Sequence, residues 1–486
     1  MTSPDEAKIR SVVQEVLSKV LSQRSGISAS PSPASKPAKT DVKGLRGVFP
    51  AMDAAIEAAE TAQQQLVAMS LETRRNILNA IRKTGVQHAE EFARRTVEET
   101  GMGRVEDKTM KFKLVADKTP GIEDITTTAW SGDHGLTAVE MAPYGVIGAI
   151  TPSTHPVPTM MNNAISIIAG GNSVVFNPHP ASKQVFQMSV DLFNEAIIAA
   201  GGPQNLITTI AEPTIESAQV LFRHPTIRLL LVTGGPAVVK AAMASSKKVI
   251  AAGPGNPPVV VDETADIKKA GRDIVAGASF DNNIVCIGEK EVFVVQSVAD
   301  ELKRELLQNG AYELSAYQLN QLAKKLFVQQ AGAGEGSMVL NRDLVGRDAS
   351  VLAATIGVDI DPTIRLLIAE TTFDDPFVQE EQMCPVLPIV RCKDVNEAIA
   401  LAIEAEHGYG HTAIMHSRNV ANMSTMARLI NTTIFVKNGP SYAGLGVGGE
   451  GYTTFSIASP TGEGLTAARH FTRMRRCVLV DYFRII

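Results

Sequence analysis

The 486-residue chain is poor in cysteine, with only Cys286, Cys384, Cys392 and Cys477 and no Cys-x-x-Cys pair. That spacing offers neither a disulfide framework nor a thiolate metal site, and it reads as four free thiols in a reducing cytoplasm. No apolar run reaches the roughly 18–20 residues that a membrane-spanning helix needs. The nine histidines include no His-Glu-x-x-His, so no metal site is expected. Neither sign of charge dominates: 46 basic against 51 acidic residues give a net charge of −5 and a pI near 6.0. This argues against nucleic acid or an anionic membrane as the main partner. No signal-peptide pattern opens the sequence. With 44% hydrophobic and 20% charged residues the composition is that of a soluble globular protein. The length exceeds what one core serves, so two or three domains are expected.

Residues 3–22 read as a separate amphipathic helix. Ser3 caps it, Pro4 fits its first position, and Glu6 completes a capping box. Ile9, Val12, Val13, Val16, Leu17, Val20 and Leu21 form one narrow apolar stripe. The following Ser/Pro/Ala-rich stretch cannot fold alone and reads as a linker. A helix tethered in this way suits docking on a partner's groove. Its mixed polar face, without Trp or Phe, does not suit a membrane surface.

From Gly145 onward, buried strand-like runs alternate with helices: Gly145–Ile150, Ser173–Phe176, Leu206–Ile210 and Ile227–Val232, separated by helical stretches over Val157–Ala169 and Ser182–Ala199. The pattern implies a parallel sheet with helical crossovers. Ligands bind at the carboxyl ends of such strands. The loops there are Thr151-Pro152-Ser153-Thr154, Asn177-Pro178-His179-Pro180, Thr233-Gly234-Gly235 and Ala251 to Asn256. Further strands are expected at Glu291–Val295, Gln382–Val390, Ala413–His416 and Thr433–Val436, with helix from Ala299 to Val328 and a hairpin around Ser131–Gly135. Gly444 to Gly449 spells Gly-x-Gly-x-x-Gly. The β-like Tyr452–Ile457 follows it instead of a helix, so it reads as a loop passing close to other backbone.

The stretch Ser279-Phe280-Asp281-Asn282-Asn283-Ile284-Val285-Cys286 joins a helical run to a strand, a place where a thiol can be held rigidly and open on one side. Cysteine reacts as its thiolate, which a free side chain provides only sparingly at neutral pH. On spacing alone, a small buried hydrophobe explains Cys286 better than a nucleophile does.

Five segments together resemble the aldehyde dehydrogenase superfamily over residues 45–486, and within it the CoA-acylating enzymes of bacterial microcompartments. They are Glu99-Thr100-Gly101-Met102-Gly103 with Glu106-Asp107-Lys108; Thr151-Pro152-Ser153-Thr154; Gly253-Pro254-Gly255-Asn256-Pro257-Pro258; Gly277 to Asn283 ahead of Cys286; and Val436 to Gly444. The resemblance implies an α/β fold of two Rossmann-like domains with a β oligomerisation arm. Residues 43–122 and 143–255, with 440–465, would form the cofactor-binding domain and 256–439 the catalytic domain. Residues 123–142 and 466–486 would form the arm of a homodimer or homotetramer. Residues 1–24 resemble an encapsulation peptide that would address shell or core proteins in a microcompartment lumen, with 25–42 as a disordered linker.

The resemblance also implies roles. Cys286 is the nucleophile, and Glu381 is the nicotinamide-ribose carboxylate. NAD would lie against Thr151, Pro152, Ser153, Asn177, Pro178, His179, Thr233, Gly234, Gly235, Ala252 and Gly253. Two departures carry information. Where hydrolytic members hold the glutamate that activates water, this chain has Ala251, and a missing general base typically costs about 10²–10⁴-fold. A thiol acceptor such as coenzyme A needs no such base. Where they hold an asparagine oxyanion donor, this chain has Thr154, which leaves the Cys286 N–H and the Thr154 hydroxyl as expected donors. For His411, near-thiol assistance, guidance of CoA and a structural role all remain open, while Cys384 reads as packing. The expected reaction is oxidation of a short aldehyde, propionaldehyde before acetaldehyde, to acyl-CoA. The rival readings are a hydrolytic aldehyde dehydrogenase and a non-catalytic scaffold.

Overall fold

The computed structural model describes residues 44–329 and 338–484. The expected 3–22 helix and its linker lie outside these residues. Two parallel sheets organise the rest. The first has six strands in the order 48–49, 207–210, 173–178, 146–151, 227–233, 248–252. Every residue of Val146–Thr151 and Ser173–Pro178 is buried, as expected for central strands covered by helices on both faces. Helix Pro156–Ala169 is buried along its whole length between this sheet and its neighbours. Among the helices over residues 52–118, the one at Leu71–Gln87 starts where the Ser70 hydroxyl accepts the Thr73 N–H.

The second sheet has seven parallel strands in the order 311–313, 366–370, 386–392, 291–295, 258–261, 412–416, 434–437. The chain leaves the carboxyl end of strand Lys248–Ala252 and, after five intervening residues, enters strand Pro258–Val261. This crossing sets the amino ends of the second sheet against the carboxyl ends of the first. A third, antiparallel sheet pairs 128–132 with 135–143 and 135–143 with 472–480. Strand Thr472–Val480 is exposed after its first residue, and Trp130, Met474, Val478 and Val480 are each more than half exposed. The strand thus ends the sheet as an exposed edge on which apolar residues are interspersed with Arg473, Arg475 and Arg476.

Three expectations need correction. The helix expected over Ala299–Val328 is two helices, Gln296–Gln308 and Ala316–Leu326, separated by a short strand at Ala311–Glu313. Gly310, at φ 98°, sits in the break, where a positive φ excludes helix. The strand expected from Gln382 begins only at Val386. Of the β-like stretch 452–457, only Ile457 enters a strand, paired with Leu465.

Candidate active site

The carboxyl ends of four adjacent strands form one rim. Thr151 is level with Pro178, and Thr233 is level with Ala252. Thr151 is buried, and its hydroxyl has no partner. Pro152 and Ser153 are half-buried, and Gly235, exposed, opens helix Pro236–Met243. An open helix start beside an unpartnered hydroxyl fits the phosphates and ribose of a dinucleotide. Two residues of the expected set look inward instead. The Asn177 amide donates to the Thr214 carbonyl (3.3 Å) and accepts the Ser217 hydroxyl (2.6 Å), so its side chain is spent inside the fold. Thr233 bonds Ser456 at 2.7 Å. His179 is exposed, and its Nδ1 accepts the Ala181 N–H.

Cys286 sits across from this rim. Asp281, Asn282 and Asn283 all have left-handed backbones, with φ of 48°, 53° and 59°. Asn and Asp tolerate that region best among residues with a side chain, yet three in succession must be held from outside. Each is. Asp281 accepts the Arg104 N–H (2.8 Å) and takes ion pairs from Lys108 (3.0 Å) and Lys111. Asn282 donates to the Gly346 carbonyl (2.9 Å) and to Asp348 (2.8 Å). Asn283 donates to the Glu289 carbonyl (2.8 Å) and receives the Lys290 ammonium. Gly103 fits under the turn only as glycine: its φ is 77°, and a Cβ there would lie 2.0 Å from Asp281 Oδ1. Lys108 also donates to the Thr154 carbonyl (2.8 Å), which ties the first sheet's rim to the turn that leads to Cys286.

The thiol is partly exposed, but protein surrounds it closely. Burial and then the Glu381 carboxylate push it up to about 12, against Lys290 and Lys111. In this state it is a thiol at neutral pH, and anything that neutralises Glu381 or adds positive charge favours the thiolate. Burial pushes Glu381 up as well; Lys290 and the Gly255 N–H hold it down. Gly255 lies between the thiol segment and His411, because a Cβ there would sit 2.6 Å from the Cys286 carbonyl oxygen and 3.0 Å from the His411 ring. His411 is therefore close to the nucleophile's backbone. Burial and Lys290 push its ring down to about 4, so it is neutral at physiological pH and does not favour the thiolate by charge. Its Nδ1 meets the Thr412 hydroxyl at 2.9 Å, while its Nε2 is buried without a partner.

The fold thus brings Cys286, Glu381, Gly255, His411 and, through Lys108, Thr154 to one seam between the sheets. Cys384 is fully buried in an apolar cluster with Leu367 and Val386. Sequence reasoning passed over the charges under the thiol. Glu289, Lys290 and Glu291 are each 0% exposed. Glu289 accepts the Ser441 N–H (2.8 Å) and is pushed up to about 7 by burial. Burial raises Glu291 well above the carboxylate range, and neither of its oxygens has a partner. Three consecutive charges running into an otherwise apolar strand, Glu291 being its first residue, were the available signal.

The model of the aldehyde dehydrogenase family matches residues 45–473. An acetaldehyde dehydrogenase (acetylating) of Salmonella typhimurium is 54% identical over 441 residues, covering 90% of this chain and 94% of that protein. The propionaldehyde dehydrogenase of the Clostridium phytofermentans fucose utilisation microcompartment superposes with a TM-score of 0.88 at 50% identity, over 91% of this chain and 100% of that one. A Rhodopseudomonas palustris propionaldehyde dehydrogenase, solved with bound CoA and an acylated cysteine, gives 0.87 at 51%, over 90% and 98%. The chain belongs to the aldehyde dehydrogenase family. Within that family it stands with the CoA-acylating aldehyde dehydrogenases.

Proposed function

We propose that this chain oxidises a two- or three-carbon aldehyde to its acyl-CoA thioester, with NAD⁺ as hydride acceptor and Cys286 as covalent catalyst. The observation that carries the reading is the pairing of Cys286, held on a braced turn at the sheet seam, with a buried Ala251 where a water-activating carboxylate would stand. The Cys286 sulfur adds to the aldehyde carbon, and the Cys286 N–H with the Thr154 hydroxyl receives the resulting oxyanion. The bound nicotinamide supplies the acceptor for hydride from that carbon. What remains on Cys286 is a thioester. The sulfur of CoA then attacks the acyl carbon, and the Cys286 sulfur leaves as thiolate. Aldehyde, NAD⁺ and CoA thus give acyl-CoA, NADH and one proton.

Glu381 is read as the ribose carboxylate, and the Thr151–Thr154, Asn177–His179, Thr233–Gly235 and Ala252–Gly253 loops as the dinucleotide rim. Asn177 contributes there only through its backbone. The unpartnered Nε2 of His411 suits it to guide the incoming acceptor. Relatives acting on acetaldehyde and on propionaldehyde are similarly close, and propionaldehyde is our expected substrate. The exposed 472–480 strand supports assembly as a dimer or tetramer. The microcompartment origin of one relative, with the amphipathic pattern at 3–22, supports encapsulation through that helix. The test is NADH formation with and without CoA. Turnover sustained by CoA, and lost in Cys286→Ser, is expected; equal turnover without CoA, with free acid as product, would overturn the proposal.

A further inference from the structure

Lys290 is fully buried, yet among the described residues its ammonium is satisfied by neutral oxygens only, the Asn283 carbonyl (2.7 Å) and the Asn283 side-chain oxygen. Asn283 answers by donating to the Glu289 carbonyl (2.8 Å), and Gly288 N–H bonds the Val285 carbonyl (2.9 Å). Residues 283–290 are therefore a loop closed at its mouth by Lys290, with Cys286 between the closing points. The lysine's own backbone is fixed, its N–H on the Pro257 carbonyl (3.0 Å) and its carbonyl on the Gln382 amide (2.9 Å).

A buried cation with no anion bonded to it is costly, and apolar residues replace such groups without loss of stability in many cores. Four acidic groups face this one: Glu381, Cys384, Cys286 and Glu291. Burial raises Glu291 well above the carboxylate range, and Cys384 is sealed in an apolar cluster at 0% exposure, whereas Cys286 is partly exposed. Glu381 is left as the resting counter-charge, and Cys286 as the group that can become one by ionising. Lys111, the other cation acting on the thiol, is already paired with Asp281. We propose that Lys290 is a positioning residue of the reaction: it clamps the loop that presents Cys286 and supplies the buried positive charge against which the thiolate forms.

The inference rests on Cys286 being the nucleophile, but its test does not require turnover. Cys286 alkylation by iodoacetamide is followed by peptide mass spectrometry between pH 7 and 10 in the full-length parent, Lys290→Met, Lys290→Gln and Lys290→Arg, each checked for folding by circular dichroism. At pH 7, loss of the charge is expected to slow alkylation about tenfold, the equivalent of one pKa unit, and the gap should narrow as the pH rises, because burial lowers the pKa of the Lys290 ammonium itself. Lys290→Arg should recover part of the loss. In turnover, kcat should fall while KM for aldehyde holds. Alkylation at pH 7 within about twofold of the parent in the folded Met or Gln variant, or an Arg variant as slow as Met, would overturn the proposal. Asn283→Ala keeps the lysine and removes one of its acceptors, so it serves where the charge variants do not fold. Slower alkylation is expected there, and an unchanged rate would contradict the clamp.

Discussion

Replacing Glu381 with glutamine should make Cys286 more reactive while making the enzyme worse. Burial and the Glu381 carboxylate together carry the thiol from an ordinary 9.0 to about 12. At pH 8 a thiol of that kind is about one part in 10⁴ thiolate, whereas an ordinary thiol at 9.0 is ionised by about a tenth. Burial is the larger cause and Glu381 the second, and a neighbouring charge typically shifts a group by about one pKa unit or more. Removing its charge is then worth about 1.4 kcal/mol, or about tenfold in thiolate. Glutamine still accepts the Gly255 N–H, so the backbone is undisturbed. The assay is iodoacetamide alkylation of Cys286 against pH without cofactor. The parent should rise about tenfold per unit from pH 7 to 10 without a plateau, and Glu381→Gln should run about tenfold faster at pH 8–9. The gap should close as the pH falls through the raised titration of Glu381, where the parent's carboxyl becomes neutral too. Turnover with NAD⁺ should move the opposite way. A parent plateau below pH 9, or a variant that alkylates no faster, would refute the electrostatic argument.

Asp281→Ala leaves the buried Lys108 and Lys111 without their shared anion and should cost about 3–5 kcal/mol, seen as a lowered thermal midpoint, with activity lost even where the protein folds. Glu289 is raised from 4.5 to about 7, so it stabilises the fold below pH 4.5 and that contribution is lost as the pH rises through 7. Urea unfolding of Glu289→Gln should therefore gain up to about 3 kcal/mol on the parent between pH 4.5 and 7; a constant difference would contradict the assignment. His155, His411 and His416 are all lowered and oppose this trend, losing stability as the pH falls, but they do so equally in both proteins. Deleting residues 1–24 should leave kcat/KM unchanged and abolish co-purification with microcompartment shells; collapse of activity would make that segment structural.

The parallel-sheet pattern was legible because buried strands such as Val146–Thr151 are apolar without interruption, and the rim loops follow from that pattern. The resemblance supplied Cys286 and Glu381; spacing alone favours a core residue at Cys286. The brace beneath the nucleophile was not legible. Lys108, Lys111 and Arg104 lie 170 to 177 positions before Asp281 in the turn they hold, and no local periodicity carries that pairing. The motif Glu99–Gly103 shows the difference. Its conformation is local, but Glu99 caps the helix at Gln184 and Val185, and Gly103 makes room for Asp281. The helix expected over Ala299–Val328 failed because the break at Gly310 was given no weight.

The most direct measurement is mass spectrometry of the enzyme after propionaldehyde and NAD⁺ without CoA. The peptide bearing Cys286 should gain one propionyl group and lose it on addition of CoA, with propionyl-CoA released in equal amount. Acylation of another residue, or an unmodified Cys286 alongside accumulating NADH and propionate, would contradict the covalent route.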